Sequence, residues 1–234
     1  MIEAKEVRAA TVYHEEGLEY RWLDAIGTDV KKFIPQCGTP LDEFGIVTLV
    51  NSAAAITPNL AVAGELFSIL TTAAEYDGAC FTLAGESFDV TKPFYFGIRM
   101  KTSDATASEF VIGLGETLIA YMAAAAHTVI AANLEIAGFH KAGDATVLNA
   151  ISYVTNVKKV EVAWGTAMDA NFHTYEVFGD GTTIYWYMDG VEVTTTTGSA
   201  NLPDGDLTPV LHYRAAAAAA KTLKVAWMRT IQIR

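Results

Sequence analysis

Hydrophobic and polar residues alternate along much of this chain. In TIYWYMDGVEV (183–193), Ile184, Trp186 and Met188 fall on one side and Thr183, Tyr185 and Tyr187 on the other. Asp189-Gly190 then reverses the chain, because both central positions of a tight hairpin turn need positive φ, and Val191 and Val193 resume the pattern. The same period of two predicts a strand in PFYFGIRMK (93–101), with Phe94, Phe96, Ile98 and Met100 opposite Tyr95, Gly97 and Arg99. It predicts others in EFVIGLG (109–115), on Phe110, Ile112 and Leu114, and in KKVEVAW (158–164), on Val160, Val162 and Trp164. GIVTLV (45–50), ELFSIL (65–70) and ACFTLA (79–84) are short runs rich in β-branched or aromatic residues. The last run, KTLKVAWMRTIQIR, is the longest. Leu223, Val225, Trp227, Ile231 and Ile233 share one parity, with Arg229 the exception, and Lys224, Thr230, Gln232 and Arg234 share the other.

Turn signals separate these runs: YDGA, KAGDA, GDGTT, MDGVE and LPDGD. About a dozen strands with frequent turns predict an all-β chain of two packed antiparallel sheets, with at most one or two short helices. Two alanine-rich segments stand outside the pattern. TLIAYMAAAAHTVIAAN (117–133) has the propensity for a helix of three or four turns, whereas RAAAAAAK (214–221) is too short for a stable helix and reads as a loop before the final strand. Residues 1–21 are more charged and less strand-like, and are expected to form an N-terminal arm on a single sandwich domain over 22–234.

At 234 residues and 51% hydrophobic composition, the chain can bury a large core without a disulfide framework or a structural metal. Its net charge of -11, with no cluster of lysine and arginine in the sequence, argues against a nucleic-acid partner. The N-terminal MIEAKEVRAATVYHEEG lacks the apolar stretch of a signal peptide. The most apolar segment, ETLIAYMAAAAHTVIAANLE, is mostly alanine and carries His127, Thr128 and Asn133, so no membrane span is expected. Cys37 and Cys80 are the only cysteines, and their pairing is left open.

GESFDVTKPFYFGIRMKTSDATASEFVIGLGET looks like a strand pair of a concanavalin A-like (laminin-G-like) jelly roll. GFHKAGDATVLNAISYV, FHTYEVFGDGTTIYWYMDGVEV and LPDGDLTPVLHYRAAAAAAKTLKVAWMRTIQIR continue the resemblance over roughly residues 65–234. More narrowly, the series resembles virion structural proteins of tailed bacteriophages. That resemblance implies a capsid decoration or cement protein on the outer surface of the head, made in the host cytoplasm, contacting the major capsid protein and present in multiple copies or as a homo-oligomer. The alternative it implies is a carbohydrate-binding, lectin-like module of a tail or head fibre, with a surface glycan as partner.

The residues offer little chemistry on their own. Glycoside hydrolysis needs two carboxylates flanking the scissile bond. Glu161 is alone on its strand, Glu176 has no acidic neighbour two residues away, and Glu86 and Asp89 fall on opposite faces. No Gly-x-Ser-x-Gly elbow is present. His14, His127, His140, His173 and His212 are scattered without metal-ligand spacing. Cys80 reads as a small buried hydrophobe. Asp204 and Asp206 in LPDGDLT suit a hard cation, but Asp-Gly-Asp is ordinary turn chemistry and is read as that. Trp186 and Trp227 are read as core, and Tyr185 and Tyr187 as a covered or docking side. The expectation is therefore a chain that is not an enzyme, with no catalytic, cofactor-binding or metal-binding residue.

Overall fold

The computed structural model describes residues 65–233, apart from 83–87, 118–119, 124–125, 129–133, 144 and 156. N-terminal to these it describes only the backbone of three strands, β1 (Val30–Phe33), β2 (Ile46–Val50) and β3 (Ala55–Thr57). The expected arm, His14, Cys37 and Glu86 lie outside the described residues. After β4 (Phe67–Leu70), β5 (Gly78–Thr82) and β6 (Phe88–Asp89) come two longer strands, β7 (Pro93–Thr102) and β8 (Ser108–Gly115). A meander of β9 (Ile136–Lys141), β10 (Leu148–Val154) and β11 (Val157–Ala163) precedes a second one, β12 (His173–Asp180), β13 (Thr183–Met188) and β14 (Val191–Thr197). A single 3-10 turn at Ser199–Asn201 leads into β15 (Asp206–Ala215) and β16 (Thr222–Ile233).

The strands form two eight-stranded sheets. The first runs β14-β13-β12-β7-β16-β4-β3, with β1 also on β16; the second runs β11-β10-β9-β8-β15-β5-β2, with β6 also on β15. Every pairing is antiparallel. The chain crosses from one sheet to the other between β7 and β8 and again between β15 and β16, so the two central strands of each sheet are joined to those of the other. The fold is the all-β two-sheet sandwich expected from the alternation, in the jelly-roll form that the resemblance implies.

The inward parity supplies the core. Phe94, Phe96, Ile98 and Met100 of β7 face Phe110, Ile112 and Leu114 of β8, all buried. Tyr175 stands edge-on to Phe110 and Phe139 of the opposite sheet, at 5.8 and 5.7 Å between ring centres, and Phe67 meets Phe81 at 5.7 Å. Each such aromatic contributes about 1.5–3 kcal/mol by leaving water. Ile184, Trp186 and Met188 are buried as their parity predicts. Asp189 and Gly190 take φ of 49° and 77°, the double positive φ that the hairpin turn requires.

Three expectations are corrected. The described residues of 117–133 contain no helix. Residues 120–123 and 126–128 are irregular, and Tyr121 and Met122, with Leu134 beyond them, pack on Cys80, Val111, Ile136, Ile151 and Val210, covering the outer face of the second sheet. Helix propensity loses here to the burial of that apolar face. The second correction is in β16. Its register against β7 shifts between Val225 and Trp227, so Ala226 is an extra residue and parity reverses. Leu223, Val225 and Met228 are core, whereas Trp227, Arg229 and Ile231 turn to the outer face of the first sheet. Trp227 is therefore half-exposed, with the Arg229 guanidinium 4.2 Å from its ring centre, and is not a core residue. Third, Val162 has core parity but lies on edge strand β11 and is 38% exposed.

Candidate functional site

The outer face of the first sheet is where polar chemistry and open aromatic surface meet. Directly paired residues share a face, so the register aligns side chains in rows across the strands. One row holds Arg229, Gly97, Glu176, Tyr187 and Glu192. The next holds Ile231, Tyr95, Phe178, Tyr185 and Thr195, and the row on the other flank holds Trp227, Arg99 and Thr174. Beyond that, Lys224 lies opposite Lys101.

Glycine 97 shapes the centre of this face. The Tyr95 side chain lies flat over it, so a Cβ at residue 97 would stand 2.2 Å from the phenolic oxygen. That placement brings the Tyr95 hydroxyl to 3.0 Å from Glu176 Oε1, to which it donates. Glu176 is buried although it points away from the inter-sheet core. Around it the aromatic surface is open: Tyr185, Tyr187 and Trp227 are each half-exposed. Tyr185 rests on Phe178 at 5.9 Å, and the Tyr187 hydroxyl reaches Glu192 Oε2 at 3.4 Å. Glu176 and Glu192 are two strand spacings apart, roughly 10 Å. That exceeds the ~5–5.5 Å of a retaining carboxylate pair and lies near the upper limit of an inverting one.

The remaining candidates serve structure. Glu109 and Arg214 are an ion pair with neither side chain exposed, Arg214 Nε donating to Glu109 Oε2 at 2.8 Å. Arg214 also donates to the carbonyls of Ala123 and Ala126, and His212 Nδ1 accepts the Tyr121 amide at 3.0 Å. Together they fasten residues 120–128 to the second sheet. Burial pushes His212 down to about 3, with the Arg214 charge acting the same way. Burial alone would raise Glu109, but His140, Arg214 and His127 outweigh it and hold the carboxyl at about 2. Cys80 is buried beneath the same segment, and burial pushes its thiol far up.

Glu135 resolves the LPDGDLT turn: its Oε2 accepts the Asp204 amide at 3.0 Å and the Gly205 amide at 3.4 Å, so a buried carboxylate fixes the backbone between Asp204 and Asp206. Among the described residues no group of His, Cys, Asp and Glu is arranged to hold a metal ion. Asp89 caps its own turn through the Thr91 amide at 2.9 Å, and Glu161 pairs with Lys158 at the exposed edge. The sequence missed the row through Glu176 because its members come from five strands, and only the register brings them together.

No family model and no curated protein sequence matches this chain. Among solved structures that share the fold, the Crh5 transglycosylase in complex with NAG aligns over 88% of this chain and 84% of its own, at TM-score 0.59 and 15% identity. The β-glucanase of Bacillus licheniformis aligns over 87% and 98%, at TM-score 0.57 and 14% identity. A conserved carbohydrate esterase from the Shiga toxin-encoding bacteriophage phi24B aligns over 87% and 97%, at TM-score 0.52 and 16% identity. These likenesses show the jelly-roll fold. They overturn the expectation of a non-enzymatic chain as far as fold speaks to it, since the transglycosylase, the glucanase and the esterase that share its fold are enzymes. The bacteriophage resemblance meets one phage protein among them.

Proposed function

We propose that this chain is a carbohydrate-active protein that holds a polysaccharide across the outer face of the first sheet. The observation that carries the reading is the juxtaposition, in adjoining rows, of half-exposed Tyr185, Tyr187 and Trp227 with the Tyr95-held carboxylate of Glu176. Sugar rings present apolar C–H faces that stack on aromatic rings, and hydroxyls that donate to a fixed carboxylate. Tyr95 orients Glu176 so that the carboxylate does not have to be ordered when the polymer arrives. The transglycosylase, glucanase and esterase that share the fold support carbohydrate as the class of ligand.

An array of polysaccharides probed with the full chain tests the reading. Binding that falls at least about tenfold in Tyr185→Ala and in Tyr187→Ala is expected, since a stacked ring contributes about 1–1.5 kcal/mol or more. Binding to no carbohydrate, or binding indifferent to both substitutions, overturns it.

A second reading is a bacteriophage virion component that decorates the outer capsid and contacts the major capsid protein. The exposed Val157, Val162 and Val191 on edge strands β11 and β14 favour it, because neighbouring copies bury such residues in a shell. Mass spectrometry of purified virions tests it, and absence of the chain from the particle ends it.

A further inference from the structure

Four of the chain's 16 lysines and arginines fall on one face of two adjacent strands, although the whole chain carries -11. They are Arg99 and Lys101 of β7, and Lys224 and Arg229 of β16. Lys224 is matched by Glu65 at 2.9 Å. Arg99 and Lys101 make no ion pair among the described residues. Both lie against the Phe172 ring, Lys101 Nζ at 4.5 Å and the Arg99 guanidinium at 5.7 Å from its centre, and Arg99 is exposed. Arg229 covers the Trp227 ring beside them. Cations stacked on aromatic rings keep their charge available on the open side. Holding them together costs mutual repulsion, which an anionic ligand removes.

Resting on the reading above, we propose that the polymer held on this face is an anionic polysaccharide, one that carries carboxylate, sulfate or phosphate groups at intervals along its chain. The strip Lys101–Arg99 takes the anionic groups, and Trp227, with buried Arg229 packed on its ring, Tyr187 and Tyr185 take the sugar rings. Charge density separates this ligand from a nucleic acid. Two cations beside a chain of net charge -11 suit charged groups set at intervals, whereas a phosphate on every nucleotide meets repulsion beyond the strip.

Affinity gel electrophoresis of the full chain against polygalacturonate, heparin, a neutral β-glucan and single-stranded DNA tests the proposal. We expect polygalacturonate or heparin to bind tightest, with affinity falling about tenfold or more between roughly 0.05 and 0.5 M NaCl. A comparable loss is expected in Arg99→Gln/Lys101→Gln, whose thermal unfolding should match wild type because Arg99 is exposed. Neutral glucan bound as tightly as either polyanion, or polyanion binding unchanged in the double variant, overturns the anionic ligand. In that case a loss in Tyr185→Ala still upholds the sheet face as the carbohydrate site. DNA bound more tightly than both polyanions overturns the proposal in favour of a nucleic acid. Failure of all three polysaccharides overturns it together with the carbohydrate reading.

Discussion

His173 and Asp189 are joined at 2.6 Å from Nδ1 to Oδ2, and the other ring nitrogen of His173 lies 2.8 Å from Asp169 Oδ1. One imidazole at the start of β12 thus ties the β13–β14 turn to the β11–β12 connection. Asp189 also accepts the Thr174 amide at 2.8 Å, which helps hold this non-glycine residue at positive φ. Burial lowers the His173 pKa, but the two carboxylates outweigh it and the net shift is upward. A histidine whose pKa is raised by folding stabilises the fold fully below its unfolded value and loses that contribution as pH climbs through the folded one. His173→Gln should therefore cost stability at pH 5.5 and much less at pH 9. Because both aspartates are half open to water, the cost stays near or below about 1 kcal/mol, or roughly 2–4 °C in Tm. Equal losses at both pH values in thermal melts would refute this.

The Glu109–Arg214 pair is of another kind, since water reaches neither side chain. Removing one partner leaves a buried charge, so Arg214→Met should cost about 3–5 kcal/mol in chemical denaturation. Glu109→Leu combined with Arg214→Met should recover much of that. Neither variant restores the donors to Ala123 and Ala126, so limited proteolysis should cut within 120–128 faster in both than in wild type. An intact, protease-resistant segment in the double variant would show that the apolar contacts of Tyr121 and Met122 suffice alone.

Acid should weaken the fold in two stages. His212 stands at about 3 against an ordinary 6.5, so the unfolded chain takes up a proton that the folded chain refuses, and stability declines as pH falls from about 6.5 toward 3. Glu109, at about 2 against 4.5, adds its own decline below about 4.5. His212→Gln keeps an acceptor for the Tyr121 amide without titrating. Its stability, measured by urea unfolding, should fall less steeply than wild type from about pH 6.5 down to about 3, leaving only the Glu109 decline below about 4.5. A wild-type slope retained in the variant would assign the acid sensitivity elsewhere.

Much of this fold can be read from alternation. Phe94 to Met100, Phe110 to Leu114 and Ile184 to Met188 all bury the face their spacing indicates. Three features are not visible at that level. The 117–133 segment carries a helical composition, yet it meets an apolar face assembled from several strands and a buried arginine about 90 residues away in sequence. The Glu176 row is set by strand register, and a search for carboxylates two residues apart on one strand cannot find a pair separated by two neighbouring strands. Trp227 is the third: nothing in VAWMR announces the extra residue that reverses parity.

Gly97 offers a functional test at the centre of the site. In Gly97→Ala the new methyl occupies the place of the Tyr95 hydroxyl, 2.2 Å away, so the ring must swing off the sheet. Glu176 then loses that donor, a loss of about 1–3 kcal/mol for a buried carboxylate. Polysaccharide affinity should drop about tenfold, with Tyr95→Phe doing the same while leaving the ring in place. Titration calorimetry that finds Gly97→Ala weakened and Tyr95→Phe unchanged would separate ring position from hydrogen bonding and exclude Tyr95 as the group that orients Glu176.

Ala226 gives the most direct test of the reversed parity. With the register shift between Val225 and Trp227, Leu223 and Val225 face the core on one side of the extra residue, and Met228 does so on the other. Deleting Ala226 therefore leaves Val225 inward, Trp227 outward and Met228 inward, in an uninterrupted strand. The bulge disappears and no core side chain changes face. The expected cost is no more than about 2 kcal/mol, within the range of ordinary single changes. Had Trp227 and Ile231 shared the core parity of Val225, the same deletion would turn every later side chain to the wrong face and unfold the sheet. Thermal unfolding and near-ultraviolet circular dichroism of the deletion variant distinguish the two. A cooperative transition within several degrees of wild type upholds the bulge, and a chain that fails to fold rejects it.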